Sequence, residues 1–256
     1  AVLGRTTTAL LPWRPALWQR GAGVVVRLPI GAELVSRPRA EVLAGANLLA
    51  LGTGADWELL QFAQAELIGP GLWRLSDLLR GQFGTESVRP SVWEVGTLAV
   101  LIDPAVRQLD LPLGLRAQPR RWRIGPAALA PDDPALAERV ESLRGVGLRP
   151  YAPVHLRARR RAPAVTLDLR WTRRARLGGD DWDAFEVPLA EETEQYLVRV
   201  IAGGVQRRET VVSAPSWTYT AAQQAADGVA GAVLLRVAQI SALWGPGPFA
   251  QVEVPG

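Results

Sequence analysis

The chain has 256 residues and 48% apolar composition, enough for a packed core, with a net charge of only +4. Its calculated pI of about 10.4 comes from basic residues that are all arginine, which does not titrate in the working range, so it implies no strong field for polyanions. The absence of cysteine excludes disulfide and thiolate chemistry, and no apolar run is long enough to span a bilayer as a helix.

Twenty prolines and 25 glycines leave few long uninterrupted stretches, a pattern of short strands joined by turns. From Gly23, GVVVRLPIGAELVS predicts a strand, a turn at Pro29–Gly31 and a second strand. NLLALG, from Asn47, predicts another. WELLQFAQAELI, GPG and LWRLSDLL then read as a hairpin. Pro70 fixes the φ of the second turn position, and Gly71 tolerates the positive φ of the third. Leu78 and Leu79 break the alternation, and RGQFGTE follows, with glycines at 81 and 84. Arg80, Gln82, Thr85 and Glu86 are suited to tying that loop to itself. It lacks the Gly-Lys-Ser/Thr of a phosphate-cradling loop.

Beyond Pro90, TLAVLI, LPLGLRA and RWRIG are short extended segments. DDPALAERVESL predicts a helix, with Asp133 as cap, Pro134 in the first turn, and Leu136, Val140 and Leu143 on one face. The glycine- and proline-rich RGVGLRPYAP, Arg144–Pro153, marks a boundary between two units, 1–150 and 151–256.

The second unit is more regular. In VTLDLRWT, Val165, Leu167, Leu169 and Trp171 alternate with Thr166, Asp168, Arg170 and Thr172, a strand with one dry face. QYLVRVIAGG puts Tyr196, Val198 and Val200 on one face and leads through Gly203–Gly204 into VQRRETVV, a hairpin. SWTYTA, VLLRVAQIS and FAQVEV complete about seven strands, the signature of an immunoglobulin- or fibronectin type III-like β-sandwich. Trp171 is its expected central aromatic, burying roughly 150–250 Å².

Four passages carry a family resemblance. WELLQFAQAELIGPGLWRLSDLLRGQFGTE, Trp57–Glu86, closely resembles a segment of the large tail-tip, or baseplate hub, proteins of siphophages and gene transfer agents. Its most specific part is LxxLLRGxxGTE, Leu75–Glu86. GDDWDAFEVPLAEETEQYLVRV (Gly179–Val200) and SAPSWTYTAAQQAADG (Ser213–Gly228) are further matches, and GLRPYAPVHLRA (Gly147–Ala158) looks like the linker between the two units. The resemblance implies a mainly β chain: a β-barrel-like tail hub unit over 1–150, then a fibronectin type III-like β-sandwich over 151–256. It implies a structural role in the tail tip of a phage-like particle, as a homotrimer among other tail and baseplate proteins. DNA is then met only by passage through the tail lumen. No signal peptide is visible at Ala1; removal of an initiator would explain the start, and the complete absence of methionine fits a piece of a longer polypeptide at least as well.

Candidate chemistry is sparse. His155, the single histidine, would have to centre any Ser-His-Asp or Cys-His mechanism, and a packed or surface role is the expectation. Asp180, Asp181, Asp183 and Glu186 offer oxygens to Ca²⁺ or a carboxylate pair for glycoside hydrolysis, but without EF-hand spacing. A structural loop around Trp182 is expected, with Glu191, Glu192 and Glu194 in a solvated turn. No catalytic residue, metal site or cofactor is expected.

Three arginine clusters, QPRRWR (118–123), RARRRA (157–162) and RWTRRAR (170–176), suit subunit contacts first and DNA second. Alternation along strands should send neighbouring arginines to opposite faces and dilute any patch. Arg121 and Arg123 are the candidate partner contacts. Among the 10 tryptophans, Trp73 and Trp171 are expected in the core, whereas Trp13, Trp18, Trp182 and Trp244 lie in proline- or glycine-rich loops. Trp182 and Trp244 are the candidates for a partner or, in the rival reading, a cell-surface glycan.

Overall fold

Strand pairing closes the first of two units, Ala1–Gly147, into a barrel, and builds the second, Leu148–Gly256, as a sandwich. The computed structural model describes residues 1–15, 17–21, 23–54, 56–161, 166–179, 183 and 185–256. In the first unit β1 (Leu3–Thr6), β2 (Trp18–Gln19) and β3 (Val24–Arg27) precede a short helix, α1 (Arg39–Leu43). Then come β4 (Leu48–Thr53), β5 (Asp56–Gly69), β6 (Leu72–Gln82) and β7 (Leu98–Leu101). The antiparallel order β6–β3–β1–β7–β4–β5 returns to β6, so six strands close on themselves and leave no edge within the ring. β2 joins β6 beyond β3, at Trp18↔Leu79.

The hairpin of β5 and β6 is as expected: Gly69 faces Leu72, with Pro70 and Gly71 between them and Gly71 at φ +65°. Its far end explains the two adjacent leucines. Leu78 packs into the barrel with Val26, Leu51, Leu60, Phe62 and Leu75. Leu79 points the other way, against Val42 of α1, Ala63 and Trp18. Both faces of β6 are therefore buried here, and strict alternation has nothing to enforce it.

Three expectations in this unit are corrected. Glu33–Ser36 is not a strand. The Ser36 hydroxyl both donates to the Ala65 carbonyl and accepts from the Ala65 N–H, replacing a backbone ladder. LPLGLRA is not extended either: Pro112 leads into a 3₁₀ turn, Leu113–Leu115, whose Leu113 is exposed and has no sheet to join. The helix expected over DDPALAERVESL is instead β9 (Ala137–Ser142), paired with β8 (Pro119–Ile124). Asp133 does use its side chain locally, accepting from the Ala135 N–H in a turn. Val140 and Leu143 are exposed, so the supposed helical face has nothing to bury against, and cross-strand pairing prevails.

RGQFGTE is tied partly to itself: Thr85 Oγ1 donates to the Gln82 carbonyl at 2.7 Å. The Gln82 amide also donates to the Arg80 carbonyl at 3.2 Å, but the Arg80 side chain is not part of that knot. Leu59 faces Gln82 while Gln61 faces Leu79, so β6 carries an extra residue there. Arg80 turns inward and grips Glu58 on β5 with two hydrogen bonds, 2.8 Å from Nε and 2.7 Å from Nη2. Neither side chain is more than 1% exposed. The Glu58 carboxylate also accepts from the Gly81 N–H at 2.9 Å and the Trp93 indole N–H at 2.6 Å. Arg80 Nη1 donates to the Leu11 carbonyl and Gln19 Oε1. A buried charge pair this fully hydrogen-bonded cross-links five separate segments, at Leu11, Gln19, Glu58, Arg80–Gly81 and Trp93.

The second unit is built from β10 (Val154–Arg161), β11 (Thr166–Thr172), β12 (Tyr196–Ala202) and β13 (Val205–Val212). After β14 (Ser216–Tyr219) and α2 (Ala221–Ala226) come β15 (Val233–Ser241), β16 (Gly245–Pro246) and β17 (Ala250–Val254). One sheet runs β10–β11–β14; the other runs β13–β12–β15–β17, with β16 on the end of β15. Three strands against four give the fibronectin type III-like sandwich. The dry face of β11 supplies Leu167, Leu169 and Trp171, and Trp171 meets Tyr196 edge-on, ring centres 5.1 Å apart. Val165 lies outside the described residues. Gly203 and Gly204, both at positive φ, make the tight β12–β13 turn.

The sequence carries a signal for α2 that strand periodicity hides. Thr220 and Gln223 form a reciprocal capping box, so TAAQ is a helix start. The residue after the helix, Asp227, holds it down: Arg208 on β13 donates to both its oxygens at 2.6 and 2.8 Å, and the Tyr219 hydroxyl donates at 2.6 Å. The Arg208 bonds, helped by Tyr219 against some desolvation, hold the Asp227 carboxyl below its usual value, while burial raises the Tyr219 phenol. A depressed folded-state pKa stabilises above the unfolded value, about 3.9, and that stability disappears as pH falls through the folded value. Asp227→Asn should therefore lessen the loss of stability in acid, read by urea unfolding between about pH 2 and 6. An unchanged acid slope would contradict this assignment.

Candidate interaction surfaces

The β8–β9 ribbon presents the first set of expected contact residues. Arg121 and Arg123 are two apart and share a face, and both reach Glu138 across the hairpin, at 3.3 and 3.6 Å. Arg123 also donates to the Pro131 carbonyl at 2.6 Å. Every position of the ribbon is exposed except Trp122, which is partly covered. Ile124 and Val140 are each 59% exposed. A two-stranded ribbon with both faces wet is marginal by itself.

In the second unit, Trp244 sits in the turn between β15 and β16, half-buried, its N–H donating to Ser241 Oγ at 3.2 Å. Its neighbour Leu243 is 76% exposed. Trp182, Asp180 and Asp181 lie outside the described residues. Asp183 is exposed, and the Glu186 carboxylate is 4.0 Å from Arg173. Glu191 departs from the solvated turn expected of it: its side chain is buried against Arg176, 2.6 Å away. Glu194 accepts from the Tyr196 hydroxyl at 2.6 Å. Trp18 is likewise no loop residue, lying in β2 under the Arg39 guanidinium, 5.0 Å from its ring centre. Trp13 is 39% exposed. His155 is exposed at a bulge in β10, with φ +53°.

The other arginine clusters behave differently from each other. In RWTRRAR, Arg173 donates to the Val187 and Pro188 carbonyls, Arg174 lies over the Tyr151 ring, and Arg176 binds the Ala190 carbonyl and Glu191. These are fixed partners within the unit. In RARRRA, Arg160 turns to the Pro255 carbonyl at 2.7 Å. Arg157, Arg159 and Arg161 stand two apart and so share the outer face of β10. The expected dilution by alternation is corrected here: a spacing of one separates arginines, a spacing of two gathers them.

The sequence reading missed the Glu58–Arg80 pair, though a signal existed: Glu58 is in phase with the inward residues Leu60 and Phe62. Among the described residues, no three His, Cys, Asp or Glu side chains are grouped to hold a metal, and no helix is long and apolar enough to cross a membrane.

A family model described as Rcc01698-like, C-terminal, matches residues 1–100. That description carries a name associated with gene transfer agents. The matched residues contain the barrel from β1 to all but the last residue of β7. No curated protein matches the chain. Among solved structures it is similar to domains d3–d4 of the extracellular region of rat CD45, at 11% identity over 60% of this chain and 72% of that one, with a TM-score of 0.29.

Proposed function

We propose that this chain is a structural component of the tail tip or baseplate of a phage-like, gene-transfer-agent particle, acting by assembly and without catalysis of its own. The observation that carries this reading is the family match, whose limits coincide with the closed barrel. The matched residues are then a hub block, followed within the first unit by the remainder up to Gly147. The exposed β8–β9 ribbon supplies a docking element beside it in sequence. In the particle the chain would form a homotrimer among other tail proteins, supporting host attachment and letting DNA pass through the lumen.

A photo-cross-linking residue in place of Val140, in the middle of the ribbon, tests the reading in assembled particles. The expected products join the chain to a second copy of itself or to another tail protein. Particles that contain the chain but give no such product, or a chain absent from particles, would overturn it.

A further inference from the structure

We propose that the outer face of the β10–β11–β14 sheet binds the phosphate backbone of duplex DNA without reading its sequence. This stands on the charges of one face and does not depend on the tail-tip reading. Arg157, Arg159, Arg161 and Arg170 line a shallow concavity of about 320 Å³ with a single carboxylate, Asp168. Arg161 pairs with Asp168, which also accepts from Thr218 Oγ1 at 2.9 Å. Among the described residues Arg157, Arg159 and Arg170 form no ion pair.

The strand register makes the face more demanding still. Arg157 lies directly opposite Arg170, a like-charge pairing that disfavours the sheet until an anion sits between them. Along β10 the arginines recur about every 6.8 Å, a repeat suited to successive phosphates of a nucleic acid strand. Guanidinium forks bind such oxygens bidentately.

What the face lacks selects the occupant. Among the described residues its other exposed or outward positions are His155, at the bulge of β10, and Thr166, Thr172, Ser216 and Thr218; Trp217 and Tyr219 face the core. Among the described residues the face carries no tryptophan, tyrosine or phenylalanine, and the lone imidazole of His155 is no platform for a run of unpaired bases, which disfavours single strands. Among the described residues there is no apolar centre of the kind that anchors protein partners, which disfavours an acidic protein surface. Contact through charge alone is what a duplex backbone offers.

Fluorescence anisotropy of the 256-residue chain with a labelled duplex of about 20 base pairs and arbitrary sequence tests this. Affinity should be on the order of 1–100 µM near physiological salt and fall about fortyfold between about 50 and 200 mM, as expected for three phosphate contacts. Arg157→Ser with Arg159→Ser should remove about two of the three units of salt slope and weaken binding at least about tenfold. Asp168→Asn, which keeps a hydrogen-bonding side chain for Thr218, should tighten it, a change of opposite sign that loss of folding cannot mimic. No binding at low salt, an undiminished slope in the double variant, or equal loss from Arg121→Gln with Arg123→Gln would overturn the site. Tighter binding to polyglutamate, heparin or single-stranded DNA than to the duplex would overturn the occupant.

Discussion

Glu58→Ala should destabilise the barrel unit by about 3–5 kcal/mol, the range for breaking a buried ion pair by removing one partner. The cause is what remains. Arg80 is 1% exposed and would keep its charge, with its bonds to the Leu11 carbonyl and Gln19 but without the carboxylate that takes two of its donors. Trp93 and the Gly81 N–H would each lose an acceptor at the same stroke. Against a typical domain stability of about 5–15 kcal/mol, such a loss leaves the barrel near its limit. Replacing both partners, Glu58→Leu with Arg80→Met, should cost much less, because the desolvated charges go together. Urea unfolding of the full chain reads both variants. A Glu58→Ala loss within about 1 kcal/mol of zero, or a double variant worse than the single, would contradict this account of the barrel's interior.

Trp171→Ala should cost the sandwich about 3–5 kcal/mol, as expected when a large aromatic leaves a closed core. Trp171 is 5% exposed and reaches from β11 to Tyr196 on the opposite sheet, so its ring joins the two layers directly. Leu167, Leu169, Val198 and Leu235 share that core, and strand register holds them too firmly to collapse into the space. Trp171→Phe keeps an edge contact with Tyr196 and should cost less. Amide exchange in β12 and β15 reports the change locally: protection there should fall steeply in the alanine variant. Unchanged protection would mean that the tryptophan is not the keystone between the sheets.

Local chemistry made much of the fold legible. Pro70–Gly71 dictated its turn, Gly203–Gly204 another, and the period-two pattern of β11 was visible because one face is dry and the other wet. The failures share a physical cause: they depended on partners distant in sequence. Asp133–Pro134 has the residues of a helix start, but helix or strand was decided by whether β8 was there to pair and whether an apolar face had anything to cover. Ser36 took the place of a ladder only because β5 runs beside it. Arg80 and Glu58 meet through an extra residue in β6, which no spacing along the chain announces. The arginines of β10 were legible individually, and their shared face followed from a period applied to neighbours when it should have been applied to alternate residues.

In the two β units Trp73, Trp93 and Trp171 and the Glu58–Arg80 pair close the cores. The most direct test of the tail-tip proposal is an electron cryo-microscopy map of intact particles in which the chain can be traced. The barrel should lie at the tail tip, with the β8–β9 ribbon against another protein or another copy. A chain located in the capsid, missing from the particle, or holding its ribbon free in solvent would contradict it.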